Sequence, residues 1–138
     1  MIFNMDEMIV MPKVWGSEEW IVNNKKYCGK ILNLNEGFRC SIHYHIEKHE
    51  TFYILDGEVL MELGDDKGIN EYRIMKSGDI QVIEPKQKHR FTGIKNSRII
   101  EFSTEHKEED SYRDSQSGAI DPSKALSDLQ INGIKEKN

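Results

Sequence analysis

The chain has 138 residues, 37% of them hydrophobic and 31% charged, with a formal net charge of −5. That length sustains one core and not two, and the acidic balance argues against nucleic acid or an anionic membrane as the main partner, since both call for a basic face. No apolar run reaches spanning length, and the N-terminal MIFNMDEMIVMPK carries acids where a secretory leader would be basic.

Two cysteines, Cys28 and Cys40, lack C-x-x-C spacing, so reduced thiols in a cytoplasmic protein are expected. Residues 1–27 read as N-terminal strands or an arm. Ile9–Met11 is a strand stopped by Pro12, Trp15-Gly16-Ser17 a turn, and Trp20–Val22 a second strand ended by Asn23-Asn24. Residues 28–104 then read as strand after strand: Lys30–Leu34, Cys40–His45, Thr51–Leu55, Glu58–Leu63, Glu71–Met75, Ile80–Ile83, His89–Thr92 and Arg98–Ser103. Asn35-Glu36-Gly37, Asp56-Gly57, Gly64–Gly68, Ser77-Gly78-Asp79 and Gly93–Ser97 supply the turns between them. Many short strands without a convincing helix define an all-β sandwich or barrel. Residues 105–138 form a polar tail, expected to be flexible or loosely packed, with a short helix opening at Asp121-Pro122-Ser123 and aligning Ala125, Leu126 and Leu129 in one apolar stripe.

Face counting adds an expectation about partners. If Glu50 points inward, Phe52 and Ile54 join it, yet Tyr53 and Leu55 on the other face are apolar too. Ile42 and Tyr44 repeat the pattern opposite the histidines. A second sheet covers one face; the N-terminal segment or a second copy covers the other, and a homodimer is expected.

The chemistry concentrates in Gly37–Gly57. His43 and His45 are one residue apart on a strand and share a face, Glu50 follows, and His89 stands downstream behind Pro85. Three imidazoles and a carboxylate suit zinc, manganese, iron or nickel better than calcium or magnesium. One divalent ion is therefore expected.

The spacing Gly37-x5-His43-x-His45-x4-Glu50-x6-Gly57 resembles the first signature of the cupin superfamily. Gly78 through His89 resembles the second, although the glycine after Pro85 is missing and the step to His89 is one residue short. The resemblance covers about half the chain, Gly37 to Phe91. It implies a double-stranded β-helix, a jelly-roll barrel, holding the metal inside on His43, His45, Glu50 and His89. His49 lies beside Glu50, and the family spacing favours Glu50.

Within cupins, Val14–Trp20, Tyr27–Lys30 and Lys88–Phe91 look similar to type II mannose-6-phosphate isomerase and D-lyxose isomerase, and Glu105–Arg113 is similar to the ending of small carbohydrate-pathway cupins. That likeness implies an aldose–ketose isomerase acting on a free sugar or sugar phosphate through an enediol. In such chemistry a divalent ion lowers the cost of the developing charge by several kcal/mol. His49, Glu101 and Lys30 are the candidate acid–base groups; Lys88, Arg90 and Tyr53 are the candidate substrate contacts, the two cations suiting a phosphate or sugar acid. Since a cupin fold does not fix function, a non-catalytic metal- and sugar-binding cupin and an iron-dependent dioxygenase remain as alternatives.

Overall fold

Side-chain alternation in three central strands decides the layering. β3 (Cys28–Leu34) buries Cys28, Lys30, Leu32 and Leu34; β6 (Glu50–Asp56) buries Glu50, Phe52 and Ile54; β11 (Ser97–Ser103) buries Ser97, Ile99 and Glu101. Each strand is apolar inside at one end and polar at the other. Register aligns these ends, since Ile99 faces both Leu32 and Ile54 while Glu101 faces Lys30 and Phe52. The interior therefore has a greasy half and a polar half.

The computed structural model describes residues 7–137; the first six residues, where part of the leader reading falls, and Asn138 lie outside the described residues. With β1 (Ile9–Lys13), β2 (Gly16–Asn23) and β9 (Ile80–Ile83), the central strands make a sheet ordered β1-β2-β3-β11-β6-β9. The facing sheet is built from β4 (Phe38–Arg39), β5 (His43–Tyr44), β7 (Glu58–Asp65), β8 (Gly68–Lys76), β10 (Lys88–Gly93) and the short C-terminal strands β12 (Tyr112–Arg113), β13 (Gly118–Ala119) and β14 (Lys135–Glu136). Its main path is β12-β5-β10-β7-β8-β14, with β4 on β10 and β13 on β4. Trp15, Leu32, Leu34, Phe52, Ile54, Met61, Phe91 and Ile99 fill the space between the sheets, and Trp15 meets Phe91 edge-on at 5.1 Å. This is the jelly-roll architecture expected from the sequence.

Several local expectations are corrected. Pro12 does not stop the first strand, because β1 lies at a sheet edge and pairs only with β2, where a missing N–H costs no ladder bond. The run Cys40–His45 is a strand only at His43–Tyr44. The N–H groups of Ser41 and Ile42 turn instead to the hydroxyls of Ser117 and Ser115. Nor is the tail loose: Asp110 and, in the helix α1 (Pro122–Ile131), Ala125 and Leu129 are buried. Asp121 caps α1 by accepting from the Ser123 N–H.

The covering of the outer faces also differs from expectation. α1 packs on the outside of the second sheet, where Leu60 and Tyr72 join Ala125 and Leu129. That cover comes from the C-terminal segment, while the N-terminal strands extend the first sheet instead.

Gly57, which ends the first sequence signature, has φ +94°, and a Cβ there would lie 2.2 Å from the Ser97 hydroxyl. Gly57→Ala is expected to destabilise the fold by about 2 kcal/mol, combining backbone strain with a steric clash. A wild-type melting curve for that variant would refute this.

Candidate metal centre and cavity

His43 lies on β5, His45 just beyond it, and His89 on β10 directly opposite His43. Their rings gather so that one nitrogen from each lies within 4.8 Å of the others. Each ring is oriented by a backbone carbonyl that can only accept. Nδ1 of His43 donates to Ser41 (2.8 Å), of His45 to Asp110 (2.9 Å), and of His89 to Gln87 (3.1 Å). With its proton on Nδ1, each ring in the neutral form keeps a bare Nε2, the ligating tautomer.

Glu50, from the start of β6, brings Oε2 within 3.4 Å of His45 Nε2 and 3.3 Å of His89 Nε2. Glu50 Oε2 and His89 Nε2 are buried and have no hydrogen-bond partner among the described residues. Buried polar atoms without hydrogen-bond partners that converge on one point are what a cation's ligands look like. The donor set fits a divalent transition metal, and His43, His45, His89 and Glu50 would hold it.

The charge state agrees. Burial, with His89 alongside, pushes His43 well below the usual imidazole range, and burial also lowers His45. Burial opposes ionisation of Glu50, but the ammonium of Lys48 beside it outweighs that and holds the carboxyl far below its ordinary value. Neutral rings and an ionised carboxylate are the forms that bind metal.

His43, His45 and Glu50 open into a cavity of about 290 Å³. Its wall continues through Lys48, Glu101, His106, Lys30 and Glu18. Lys48 is 3% exposed, with Nζ 2.6 Å from Glu101 and 3.6 Å from Glu50. Burial disfavours its charge, yet the two carboxylates raise its pKa above the ordinary lysine value. Protonated, Lys48 donates to His106 Nδ1 (3.1 Å), so His106 carries its proton on Nε2 and donates to Glu108 (3.0 Å). A polar chain thus leads from the rim at Glu108 to the foot of the metal cluster.

Of the expected acid–base residues, Glu101 and Lys30 line this cavity. Glu101 is inward, not the exposed strand charge that would be its ordinary role, and Lys30 is 1% exposed, 3.3 Å from Glu18 and 4.3 Å above the Trp20 ring. His49 does not join them: it is half exposed and faces Glu84 at 3.5 Å. The expected substrate contacts are also displaced. Lys88 and Arg90 alternate with the inward His89, so they leave by the other face, Lys88 to Asp114 and Arg90 to a two-pronged pair with Glu62. Tyr53 lies on the outer face of the first sheet, opposite Ile80 and Ile100.

Lys48 and His106 are the residues that sequence reading missed. Lys48 is two positions before Glu50, a spacing that signals a shared face. His106 offers no local signal. Asn23 pins it, accepting from its N–H and donating to its carbonyl. Both cysteines are free and buried, and burial drives Cys40 up to about 12, so neither is reactive.

The Cupin domain family matches residues 30–102, just over half of the chain. The chain belongs to the cupin family. No curated protein matches the sequence. Among solved structures, the fold is similar to CapF, a capsular polysaccharide assembling protein from Staphylococcus aureus, at 14% identity and a TM-score of 0.64 over 78% of this chain and 34% of that one. It is similar also to KdgF from Halomonas sp., at 15% identity and TM-score 0.58, covering 67% and 82% of the two chains. Pac13 from Streptomyces, solved with uridine, matches at 10% identity and TM-score 0.67 over 84% and 91%. The chain spans about a third of CapF and most of Pac13. No helix among the described residues is long and apolar enough to cross a membrane.

Proposed function

We propose that this cupin is a metal-dependent isomerase that interconverts an aldose and a ketose of the mannose or lyxose type. The carrying observation is that Glu101 and Lys48 line the same cavity as His43, His45 and Glu50. Two neighbours add support by name, since CapF is described with a polysaccharide and Pac13 as a nucleoside dehydratase, both carbohydrate-bearing systems.

A bound divalent ion supplies Lewis-acid polarisation of a carbonyl and its neighbouring hydroxyl. The chain's own groups then divide the remaining work. Glu101 Oε2 is held by Lys48 and by the Ser103 hydroxyl (3.0 Å), which leaves Oε1 without a hydrogen-bond partner among the described residues to take and return a carbon-bound proton. Lys48 contributes a fixed positive charge beside the developing anion. Phe52 and Phe91 form the apolar side of the cavity and keep water from competing for the proton.

The test is a panel of mannose/fructose and lyxose/xylulose pairs, free and phosphorylated, after metal analysis of the purified protein. Turnover that persists without oxygen is expected, and Glu101→Gln is expected to lose at least about a hundredfold in kcat while retaining its metal. A panel silent with every metal would replace this reading by a sugar-binding cupin. Iron with activity lost under nitrogen would replace it by an oxygenase.

We further propose a homodimer. In support, Ile80, Val82 and Phe102 are exposed on the outer face of the first sheet, flanking Tyr53 and Ile100, where no segment of the chain covers them among the described residues. Their β9 edge and the Arg98–Asp56 pair on the same sheet give a second copy a polar rim to match. Sedimentation should show a dimer that Phe102→Glu dissociates; a wild-type monomer at micromolar concentration would overturn it.

A further inference from the structure

The charged groups lining the cavity answer one another almost completely. Lys13 and Lys30 share Glu18, Lys48 lies between Glu50 and Glu101, and Glu108 accepts from His106. Arg113 is different: it lines the cavity, is exposed, and makes no ion pair among the described residues.

Register explains where Arg113 points. It lies on β12 directly opposite His43, and residues directly opposite in an antiparallel pair share a face. Tyr112, one residue earlier, lies on the other face and stacks on Tyr44 at 5.2 Å. The following acid, Asp114, is engaged by Lys88, so its charge does not neutralise the guanidinium. Ser41, Ser111 and Ser117 line the same wall. Ser117 Oγ accepts the Ser41 N–H, which leaves its hydroxyl proton available to donate.

We propose that Arg113 is the anion anchor of this cavity, so that the natural substrate is a polyhydroxy compound bearing a phosphate or carboxylate. The anionic part stands on this geometry alone; the polyhydroxy part rests on the isomerase reading above. A guanidinium presents two parallel N–H donors matched to either oxyanion, and the serine hydroxyls add donors beside it. With the lysines of the pocket occupied, a second anionic group elsewhere in the cavity finds no unpaired side-chain cation. One anion, at the mouth, next to the His43 side of the metal cluster, is what the charges accommodate.

The experiment titrates metal-loaded wild type, Arg113→Gln and Arg113→Lys with four probes in phosphate-free, low-salt buffer: D-mannose, D-mannose 6-phosphate, D-mannuronate and inorganic phosphate. Wild type should bind the phosphorylated sugar or the uronate at least about tenfold more tightly than mannose, and whichever leads names the anion. Arg113→Gln should remove that preference and weaken inorganic phosphate about threefold or more while leaving mannose unchanged, and Arg113→Lys should restore part of it. An anion preference that survives in Arg113→Gln, or equal binding of all three sugars by wild type, overturns the anchor. If no sugar binds wild type but phosphate does and Arg113→Gln weakens it, the anchor stands and the isomerase reading falls. Phosphate affinity unchanged in Arg113→Gln, with no sugar bound, overturns both.

Discussion

Asp110→Ala is expected to cost about 3 kcal/mol of folding stability and at least about tenfold in metal affinity. The buried Asp110 carboxylate accepts from three consecutive backbone N–H groups: Ile46 and Glu47 on Oδ1 (2.9 and 3.2 Å), Glu47 and Lys48 on Oδ2 (3.2 and 3.1 Å). Bonds to a charged acceptor are worth about 1.5–3 kcal/mol each, and water recovers part of them once the carboxylate is gone. The metal effect follows from geometry. Residues 46–49 join His45 to Glu50 and include Lys48, so releasing them loosens two ligands and the buried ammonium together. Groups that orient ligands without touching the ion typically matter about 10–100-fold. Chemical denaturation and competition with a chelator measure the two effects separately. Wild-type metal affinity in this variant would show that the loop holds its shape without Asp110.

The second large effect is on the ligands themselves. His43→Ala combined with His89→Ala is expected to leave no stoichiometric metal after dialysis. A four-ligand structural zinc site binds with roughly 10–16 kcal/mol, so losing two ligands removes on the order of 5 kcal/mol, more than a thousandfold. Retained metal would place the ion elsewhere. Glu50→Gln and His49→Gln form the matched comparison: the first should weaken metal binding sharply, because Oε2 is wedged between two ligand rings, and the second should change nothing, because His49 faces Glu84 outside. The opposite order would exchange their roles.

Spacing, together with the cupin resemblance that chose Glu50 over His49, made His43, His45, Glu50 and His89 legible, because a ligand set on neighbouring strands is limited by where successive side chains can point. For Glu101 the same period-two logic gave a face shared with Ile99 but not which face is inward; the burial of both settles it. That logic, applied consistently, also assigns Lys88, Arg90 and His49 to the outside, since each adjoins an inward ligand. Proximity in sequence had suggested a role that alternation forbids. His106 and Asp110 were beyond reach for another reason. They belong to a polar segment with no periodicity, and their partners lie 58 and 62–65 residues away, so only closure of the barrel brings them together. The same holds for α1, whose stripe was visible but whose docking surface was not.

The hydrogen bond from His45 to the Asp110 carbonyl has a consequence for how the protein is made. His45 leaves the ribosome 65 residues ahead of the group that fixes its tautomer and orientation. Until that later segment emerges, His45 lacks the acceptor that orients its ring, although His43, Glu50 and His89 have already been synthesised. The geometry of the cluster is therefore completed only by a segment synthesised after all four of its side chains.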